Sequence, residues 1–348
     1  MTTKGPLLEV EDLVVHFALP RRSLFGPASK VHAVNGLSFS IDRGATLGLV
    51  GESGSGKTTT AQAVSRLVPA TSGAVKFGGE DILKMSASGL RKARRRMQMI
   101  FQDPYSSLNP RRRAGDIVLE ALNMLNVGIA QNRAARLPEL FRRVGLRPEH
   151  QALFPHQFSG GQRQRIGIAR ALASEPELLI CDEPVSALDV AIQAQILNLL
   201  RRLQQQYGIA LLFISHDLGV VQHLCDEVAV MYLGRIVEKA DRRSLFRRPM
   251  HPYSHTLISA VPSVATVGTA RVAPSLLVEG DPPSPIELPE GCGFAGRCPF
   301  STDRCRRDLP PLRHLADGRM VACHYADLSD GAPHERALQG SAVVPGGI

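Results

Sequence analysis

The order of apolar and polar positions predicts strands and helices that alternate along most of the chain. Three short and almost wholly apolar runs, TLGLVG, ELLICDEP and ALLFISH, are typical of strands buried in a sheet. LEVEDLVVHF and GLSFSI mix apolar with polar residues, which predicts edge strands. The run AIQAQILNLLRRLQQQYG has one apolar stripe at helical spacing and ends at Gly208. Strands and helices in this order predict an α/β fold.

The same patterns divide the chain into four parts. Residues 1–261 hold the strand and helix patterns, and a stretch within them at about 103–165 is predicted to be a helical subdomain. Residues 262–289 are rich in proline, serine and valine without a steady period, which predicts a linker. Residues 290–328 are expected to form a small cysteine-rich module, and residues 329–348 a disordered tail.

Composition and charge argue against some classes of protein. The chain has 348 residues, 44% of them hydrophobic, which is enough for one large domain and a small appendage. We expect neither export nor a membrane span, because the start lacks a signal pattern and no apolar run approaches the ~18 residues that a span needs. The net charge is +9, partly from arginine runs at 91–96 and 111–113. No aromatic residues are interleaved there, so we interpret these runs as a solvated face and expect no nucleic-acid partner.

The run TLGLVGESGSGKTTT combines a strand, a glycine-rich loop and the start of a helix. Its spacing, G-x-x-x-x-G-K-S/T, is that of a loop whose backbone N–H groups and helix N-terminus surround phosphate oxygens. Lys57 is expected to reach the β and γ phosphates, and the Thr58 hydroxyl to bind Mg²⁺. The loop residues expected to contact the nucleotide are Gly51, Glu52, Ser53, Gly54, Ser55, Gly56, Lys57, Thr58 and Thr59.

Two acidic residues follow the apolar run LLIC. Asp182, at the end of the predicted strand, is positioned to hold Mg²⁺ directly or through water. Glu183 is then free to orient and polarise the attacking water as a general base. A solvated turn is the alternative interpretation of such a pair, and the buried strand before it favours the catalytic one.

The segment FSGGQRQRIGIARAL begins with glycines and continues as an amphipathic helix shortly before the acidic pair. Ser159, Gly160 and Gly161 predict a second helix N-terminus that binds an anion, although one chain needs only one triphosphate site. The segment resembles the signature motif of the ATP-binding-cassette (ABC) ATPases. The resemblance implies that two cassettes pair head to tail around two ATP molecules, so that these residues and Gln162 serve the nucleotide of the neighbouring subunit. A helix cap that needs small residues is the alternative interpretation.

Other segments resemble further motifs of this family. MIFQDP resembles the Q-loop, which implies that Gln102 senses Mg²⁺ and the attacking water and faces a membrane partner. SALD resembles the D-loop, which places Asp189 at the crossing to the second cassette. FISHD places His216 at the position of the switch histidine, which contacts the γ phosphate and steadies Glu183. A structural histidine after a strand is the alternative.

The resemblance extends from residue 7 to about 325. It implies the fold of an ABC nucleotide-binding domain, with a RecA-like phosphate-loop core, an antiparallel β subdomain and a helical subdomain. Phe17, or else His16, is expected to stack on the adenine, and a core position is the alternative for Phe17. No catalytic position departs from the family pattern, so we expect hydrolysis of ATP with Mg²⁺.

Four strings narrow the resemblance, because they are similar to the ATPase subunits of oligopeptide and dipeptide importers: QDPYSSLNPR, EPVSALDV, VMYLGRIVE and HPYSHTLISAVP. SGGQRQR together with EPVSALD is more similar to the second of the two ATPases that such importers usually have. This branch implies three kinds of partner: a second ATPase subunit, in a heterodimer rather than a homodimer, two transmembrane permeases, and an extracytoplasmic substrate-binding protein. The chain would then lie peripherally on the cytoplasmic face of the plasma membrane. Nickel or another small solute is the alternative cargo, and a DNA-processing ABC ATPase is the alternative function.

Four cysteines cluster near the end of the chain, separated by five, six and seventeen residues: Cys292, Cys298, Cys305 and Cys323. Their thiolates are able to converge on one metal centre, although structural zinc sites usually have closer pairs. The resemblance to peptide-importer ATPases points to a 4Fe-4S cluster, with zinc or free thiols as alternatives. Cys181 and Cys225 are interpreted as buried apolar residues, and His251 and His255 as capping or packing residues.

Overall fold

The computed structural model describes residues 5–19, 29–103, 107–260 and 280–326. The chain forms two compact units. The first consists of Met1–Glu11, Phe39–Leu47 and Ala61–Ser215, and the second of Asp12–Ser38, Gly48–Thr60 and His216–Ile348. The predicted tail at 329–348 and most of the predicted linker at 262–289 lie outside the described residues. Within the described ranges, no helix has the length and apolar character that crossing a membrane requires.

Strands and helices alternate, as the apolar pattern predicts. The strands are β1 (Leu8–Ala18), β2 (Lys30–Ile41), β3 (Thr46–Val50), β4 (Ser72–Phe77), β5 (Glu80–Asp81), β6 (Met97–Ile100), β7 (Leu178–Asp182), β8 (Ala210–Ser215), β9 (Glu227–Tyr232), β10 (Arg235–Asp241), β11 (Arg313–His314) and β12 (Met320–Val321). The α-helices are α1 (Lys57–Val64), α2 (Ala87–Arg96), α3 (Ala114–Met124), α4 (Leu137–Arg143), α5 (Gly160–Leu172), α6 (Val190–Tyr207), α7 (Leu218–Leu224), α8 (Arg242–Arg247), α9 (Pro252–Ser259) and α10 (Asp303–Arg307).

The first unit contains parallel strands in the order β8-β7-β6, and its predicted site residues Gln102, Asp182 and Glu183 lie at the ends of β6 and β7. β7 pairs in parallel with β8, with Leu178 opposite Ala210, and β6 pairs in parallel with β7. Every residue of β7 and β8 is buried, which confirms the buried strands predicted from ELLICDEP and ALLFISH. Between β6 and β7 the described residues form helices and no strand, as predicted for this region.

A separate four-stranded sheet has the order β2-β1-β4-β5. The prediction of an edge strand is therefore right for β2, which contains GLSFSI, and wrong for β1, which is internal. The polar residues of β1 reflect an open face of the sheet. Glu9 and Glu11 both lie within ion-pair distance of Lys76 on β4, with the shorter distance, 2.6 Å, between Lys76 Nζ and Glu11 Oε1. Alternation therefore indicates here which face is solvated and not which strand is outermost.

The second unit contains an antiparallel set of strands, in the order β11-β12-β10-β9. β9 and β10 form a hairpin whose tight turn contains Leu233 and Gly234, with φ of +45° and +77°. β12 comes from the cysteine-rich region and pairs with β10, with Val321 opposite Glu238. Residues 290–326 therefore share a compact unit with β9 and β10, and the boundaries that we predict for a separate module stay a prediction.

Helix α6 has the predicted apolar stripe and ends where expected. Ile196, Leu199, Leu200 and Leu203 are buried. Gly208 follows the helix with φ of +62°, and its N–H donates to the Gln204 carbonyl oxygen at 2.8 Å. Helices commonly end at a residue in the left-handed backbone conformation, which glycine adopts without a steric cost.

We expect Gly208→Ala to lower the free energy of unfolding by about 1 kcal/mol. A Cβ at Gly208 meets no atom within 4 Å, so the cost arises from the backbone conformation alone. Gly167→Ala, inside α5, is the matched control, because its added Cβ also meets nothing within 4 Å. That variant should gain about 0.5–1 kcal/mol through helix propensity. Urea unfolding measures both, and effects of the same sign would contradict this account.

Candidate functional site

The predicted phosphate loop lies in the second unit, between β3 and α1. The buried Lys57 ammonium donates hydrogen bonds to the carbonyl oxygens of Gly51 and Glu52, both at 2.8 Å. It also lies 3.3 Å from Ser55 Oγ. The loop is therefore a closed arc with a cation inside it, which is the arrangement that a polyphosphate requires.

Two glycines of this loop pass very close to neighbouring backbone. A Cβ at Gly51 would lie 2.2 Å from the Met231 carbonyl oxygen. A Cβ at Gly56, where φ is +101°, would lie 2.1 Å from the Ala33 carbonyl oxygen. Both positions of the motif are thus restricted to glycine by packing within the second unit, in addition to any contact with a nucleotide.

The acidic pair lies at the carboxyl end of β7 in the first unit. Asp182 is buried, with 3% of its surface exposed. Glu183 has φ of +46°, a conformation that costs a residue other than glycine about 1–3 kcal/mol and is concentrated at functional sites. Gln102 Nε2 donates a hydrogen bond to Glu183 Oε2 at 2.9 Å. The first unit therefore brings together the predicted general base and the predicted sensor of Mg²⁺ and water.

The predicted signature segment begins helix α5 in the first unit. Ser159 Oγ accepts a hydrogen bond from the Gln162 N–H at 3.3 Å, and Gln162 Oε1 accepts one from the Ser159 N–H at 3.0 Å, which is a capping box. A Cβ at Gly161 would lie 2.4 Å from Ile192 Cγ2 of α6. Capping and close packing are thus real roles of this segment, and binding of a neighbouring subunit's nucleotide stays a prediction.

The remaining predicted residues are exposed side chains at the ends of strands or helices. His216 directly follows β8, and Asp189 directly precedes α6. Phe17, near the end of β1, is 39% exposed, so the alternative that it belongs to the core is wrong. His16 Nε2 lies 3.1 Å from His32 Nδ1, so part of its ring edge is engaged by a neighbouring strand. Phe17 therefore offers the more accessible ring for stacking.

The four clustered cysteines line one small cavity of the second unit, together with apolar and aromatic side chains such as Phe294 and Phe300. Burial raises the pKa of Cys292 to about 11 and that of Cys298 to about 12, so a metal would displace protons from these thiols. Among the described residues, no three His, Cys, Asp or Glu side chains are arranged to hold a single metal ion. The cavity shows only that the four thiols lie near one another, so both the 4Fe-4S cluster and the zinc alternative stay predictions.

The other cysteines and histidines behave as predicted. Cys181 and Cys225 are 0% and 1% exposed, and burial raises the pKa of the Cys181 thiol to about 12. His251 precedes α9, and its Nδ1 accepts a hydrogen bond from the Tyr253 N–H at 3.1 Å. His255 is buried within α9. These residues serve packing and capping.

Two residues that are not among the predicted site residues bind the phosphate loop from the C-terminal part of the second unit, Tyr253 and Arg297. Tyr253 Oη accepts a hydrogen bond from the Glu52 N–H at 2.8 Å. Arg297 donates two hydrogen bonds to the Glu52 carboxylate, at 2.9 and 3.2 Å. The only signals were the tyrosine of HPYSH and the arginine of GRCP, and neither has a local pattern that indicates a distant partner.

Comparisons with known proteins identify the family and the fold. A family model described as "ABC transporter" matches residues 34–186, and one described as "Oligopeptide/dipeptide transporter, C-terminal region" matches residues 237–305. The chain has the fold of solved cassettes. One is cbiO1 from Clostridium perfringens, part of the ABC transporter complex cbiONQ, with a TM-score of 0.60, 28% identity, and coverage of 70% of this chain and 92% of that one. Another is the dimeric cassette MJ0796 bound to ADP and Pi, with a TM-score of 0.58 and 24% identity, covering 68% of this chain and 99% of that one.

Closer relatives match over nearly the full length. The chain is 49% identical over 347 residues to a probable peptide ABC transporter ATP-binding protein of Sinorhizobium fredii, covering 98% of this chain and 97% of the relative. It is 47% identical over 322 residues to the di/tripeptide transport ATP-binding protein DppF of Pseudomonas aeruginosa, covering 92% and 98%. It is 46% identical over 320 residues to the oligopeptide transport ATP-binding protein AppF of Bacillus subtilis, covering 91% and 97%. The chain therefore belongs to the ABC transporter ATPases, in the branch of the peptide-transporter ATP-binding proteins.

Proposed function

We propose that this chain hydrolyses ATP to drive the import of oligopeptides or dipeptides across the cytoplasmic membrane. The observation that carries the proposal is the succession of two family matches, an ABC transporter region at 34–186 and a peptide-transporter C-terminal region at 237–305. The closed phosphate loop around Lys57 supports the ATP-binding half of the proposal.

We infer the following division of work at the ATP site. Lys57 binds the β and γ phosphates, while Thr58, Gln102 and Asp182 hold Mg²⁺. Glu183 orients and polarises the attacking water, and His216 contacts the γ phosphate. The hydrogen bond from Gln102 to Glu183 supports a shared task for these two residues, because it holds the carboxylate in one orientation. Phe17 stacks on the adenine, a role supported by its exposed ring.

We further propose that ATP is enclosed between two cassettes. Ser159, Gly160, Gly161 and Gln162 would bind the nucleotide of the second ATPase subunit, and Asp189 would lie at the crossing between the two. A helix N-terminus that is already capped and packed is a rigid donor of N–H groups, which suits a site completed only when two subunits meet. We favour a heterodimer, as in importers with two different ATPases.

We propose that the ATPase pair docks on two transmembrane permeases, which receive peptides from an extracytoplasmic substrate-binding protein. In this arrangement the chain lies peripherally on the cytoplasmic face of the membrane. The helical region that contains α3, α4 and α5 would pass the closing motion to the permeases. The peptide-transporter relatives support this set of partners, since their names describe peptide transport.

We propose that Cys292, Cys298, Cys305 and Cys323 hold a 4Fe-4S cluster, with a single zinc ion as the alternative. The cavity that all four residues line supports this proposal. A bound cluster would supply cross-links between a loop, helix α10 and the segment after β12.

In a strain that lacks this gene and any redundant importer, we expect the wild-type chain to restore uptake of labelled dipeptides or oligopeptides. Lys57→Ala and Glu183→Gln should each fail to restore it. Purified Lys57→Ala should bind ATP more than about tenfold more weakly, because a charged partner of the phosphates is lost. Glu183→Gln should still bind ATP but hydrolyse it about 10²- to 10⁴-fold more slowly, because only the base is lost.

Uptake of labelled nickel in the same strains is the matched control for the cargo. Peptide uptake that is normal without this gene would contradict the transport function. Normal ATP turnover by either variant would contradict the residue assignments, while leaving the transport function open to the uptake measurement.

We expect Gly161→Ala to lower the free energy of unfolding by about 1–3 kcal/mol, because its methyl group would overlap Ile192 Cγ2. Adding Ile192→Ala removes that carbon and should restore most of the stability lost to the overlap, relative to Ile192→Ala alone. ATP turnover separates packing from function. If Gly161 serves a second subunit's nucleotide, the double variant should remain inactive although it is folded. Recovery of activity together with stability would mean that Gly161 has a packing role only.

Protein purified without oxygen should contain about four iron and four sulfide per chain. Replacing any one of Cys292, Cys298, Cys305 or Cys323 by serine should lower the iron content sharply. Cys225→Ser is the matched control, because Cys225 is a buried cysteine that does not line the cavity. Metal analysis and visible absorption measure the outcome, and a chain with one zinc and no sulfide would establish the alternative.

A further inference from the structure

Glu52, in the phosphate loop, is bound by two residues from the C-terminal part of the second unit, Tyr253 and Arg297. Its N–H donates to Tyr253 Oη at 2.8 Å, and its carboxylate accepts hydrogen bonds from Arg297 Nη1 at 2.9 Å and Nη2 at 3.2 Å. Its carbonyl oxygen accepts a hydrogen bond from the Lys57 ammonium at 2.8 Å. The backbone and side chain of Glu52 thus join the C-terminal residues to the lysine of the loop.

Aromatic side chains hold the Arg297 guanidinium in the position from which it contacts Glu52. It lies one residue before Cys298, and its side chain is only 12% exposed. Its Nη1 lies 3.4 Å from Tyr232 Oη, and its guanidinium carbon lies 5.8 Å from the centre of the Phe294 ring. A guanidinium held by aromatic neighbours and paired through two nitrogen atoms has a fixed orientation, which a lysine ammonium would not reproduce.

Tyr253 is fixed just as firmly. It is 0% exposed, and its ring centre lies 4.6 Å from that of Tyr232 and 5.4 Å from that of Phe294. The buried Glu238 carboxylate accepts hydrogen bonds from the N–H groups of Met250 and His251, both at 2.8 Å, just before α9. The phenol oxygen is therefore presented to Glu52 by a packed scaffold and not by a mobile side chain.

The charge of Glu52 gives these contacts a function. A carboxylate in a loop that binds a triphosphate repels the ligand, because both are anions in a partly buried setting. The ion pair offsets that repulsion, because the positively charged guanidinium of Arg297 lies next to the Glu52 carboxylate. Tyr253, which accepts the Glu52 N–H, keeps the Glu52 backbone in the position from which its carbonyl oxygen holds Lys57.

We propose that Arg297 and Tyr253 are positioning residues for the phosphate loop, and that through Glu52 the cysteine-rich C-terminal region sets the affinity of the loop for MgATP. Neither residue touches the phosphates. Arg297 neutralises and orients the Glu52 side chain, and Tyr253 fixes the Glu52 backbone. The proposal rests on the proposed assignment of residues 51–59 as the ATP site.

The test uses the full chain, purified without oxygen and combined with its partner ATPase if one is required for turnover. Arg297→Ala should raise the KM for MgATP about tenfold while kcat changes less than about twofold, because a charge-assisted contact that favours binding is lost. Tyr253→Phe should raise the KM several-fold, because it removes one oxygen atom and keeps the ring packing. Arg304→Ala is the matched control, since Arg304 is an exposed arginine of the same region, and its KM should equal that of the wild type.

The decisive variant is Glu52→Gln combined with Arg297→Ala. If the arginine acts by neutralising the carboxylate, removing the charge of Glu52 should bring the KM back to within about threefold of the wild type. Arg297→Lys should lie between the wild type and Arg297→Ala. A role in stability alone predicts no such rescue, and melting temperatures measured without nucleotide separate the two cases.

Three outcomes would overturn the proposal: an unchanged KM in both Arg297→Ala and Tyr253→Phe, a fall in kcat with no change in KM, or a double variant no better than Arg297→Ala. Lys57→Ala, measured in parallel, distinguishes a failure of the positioning role from a failure of the ATP-site assignment. If Lys57→Ala still binds MgATP normally, the assignment of the ATP site fails. If it loses binding while Arg297→Ala and Tyr253→Phe behave as wild type, only the positioning role fails.

Discussion

The Lys57 ammonium, held by oxygen atoms of its own loop, is the interaction on which the rest of the site depends. A buried cation is stable only where oxygen atoms replace water around it. The arc from Gly51 to Ser55 supplies them, at 2.8 to 3.3 Å. The arc closes this tightly because Gly51 and Gly56 pass so near to other backbone that no Cβ would fit. Strand β3 and helix α1 then fix its two ends, so a few local contacts create a cradle for phosphate before any ligand arrives.

Much of this could be predicted from the sequence, because burial on both faces of a strand and the spacing of the phosphate loop are local features. β7, β8 and α6 lie where their apolar runs indicate. Gln102 and Glu183, each predicted to act on the attacking water, are in contact. The β9–β10 hairpin was harder to predict, because its turn places a leucine, Leu233, at positive φ, where turns usually have glycine, asparagine or aspartate. The contact between Glu52 and Arg297 was beyond prediction, since 245 residues separate the two and no periodic pattern links them.

In the first unit, residues proposed to act on the nucleotide also have structural roles. Glu183 adopts a left-handed backbone conformation at the end of a fully buried strand, and the Ile214 carbonyl oxygen of β8 accepts its N–H at 3.0 Å. That constraint turns the carboxylate towards Gln102. Ser159 and Gly161 combine roles in the same way, because a capped helix that packs closely on α6 also presents an ordered N-terminus. A motif residue is therefore poorly described by one role, and single substitutions at such positions mix two effects.

The pairing of Glu52 with Arg297 also bears on how this class of chain diversifies. A cassette and its C-terminal appendage are often regarded as parts that evolution or an engineer is free to exchange. Here a carboxylate near the start of the chain has its counter-ion near the end, and a phenol from α9 is bonded to the same residue. A chimera that joined this cassette to the appendage of another chain would need a compatible pair at positions 52 and 297. Among related chains, substitutions at position 52 are therefore expected to be accompanied by substitutions at position 297.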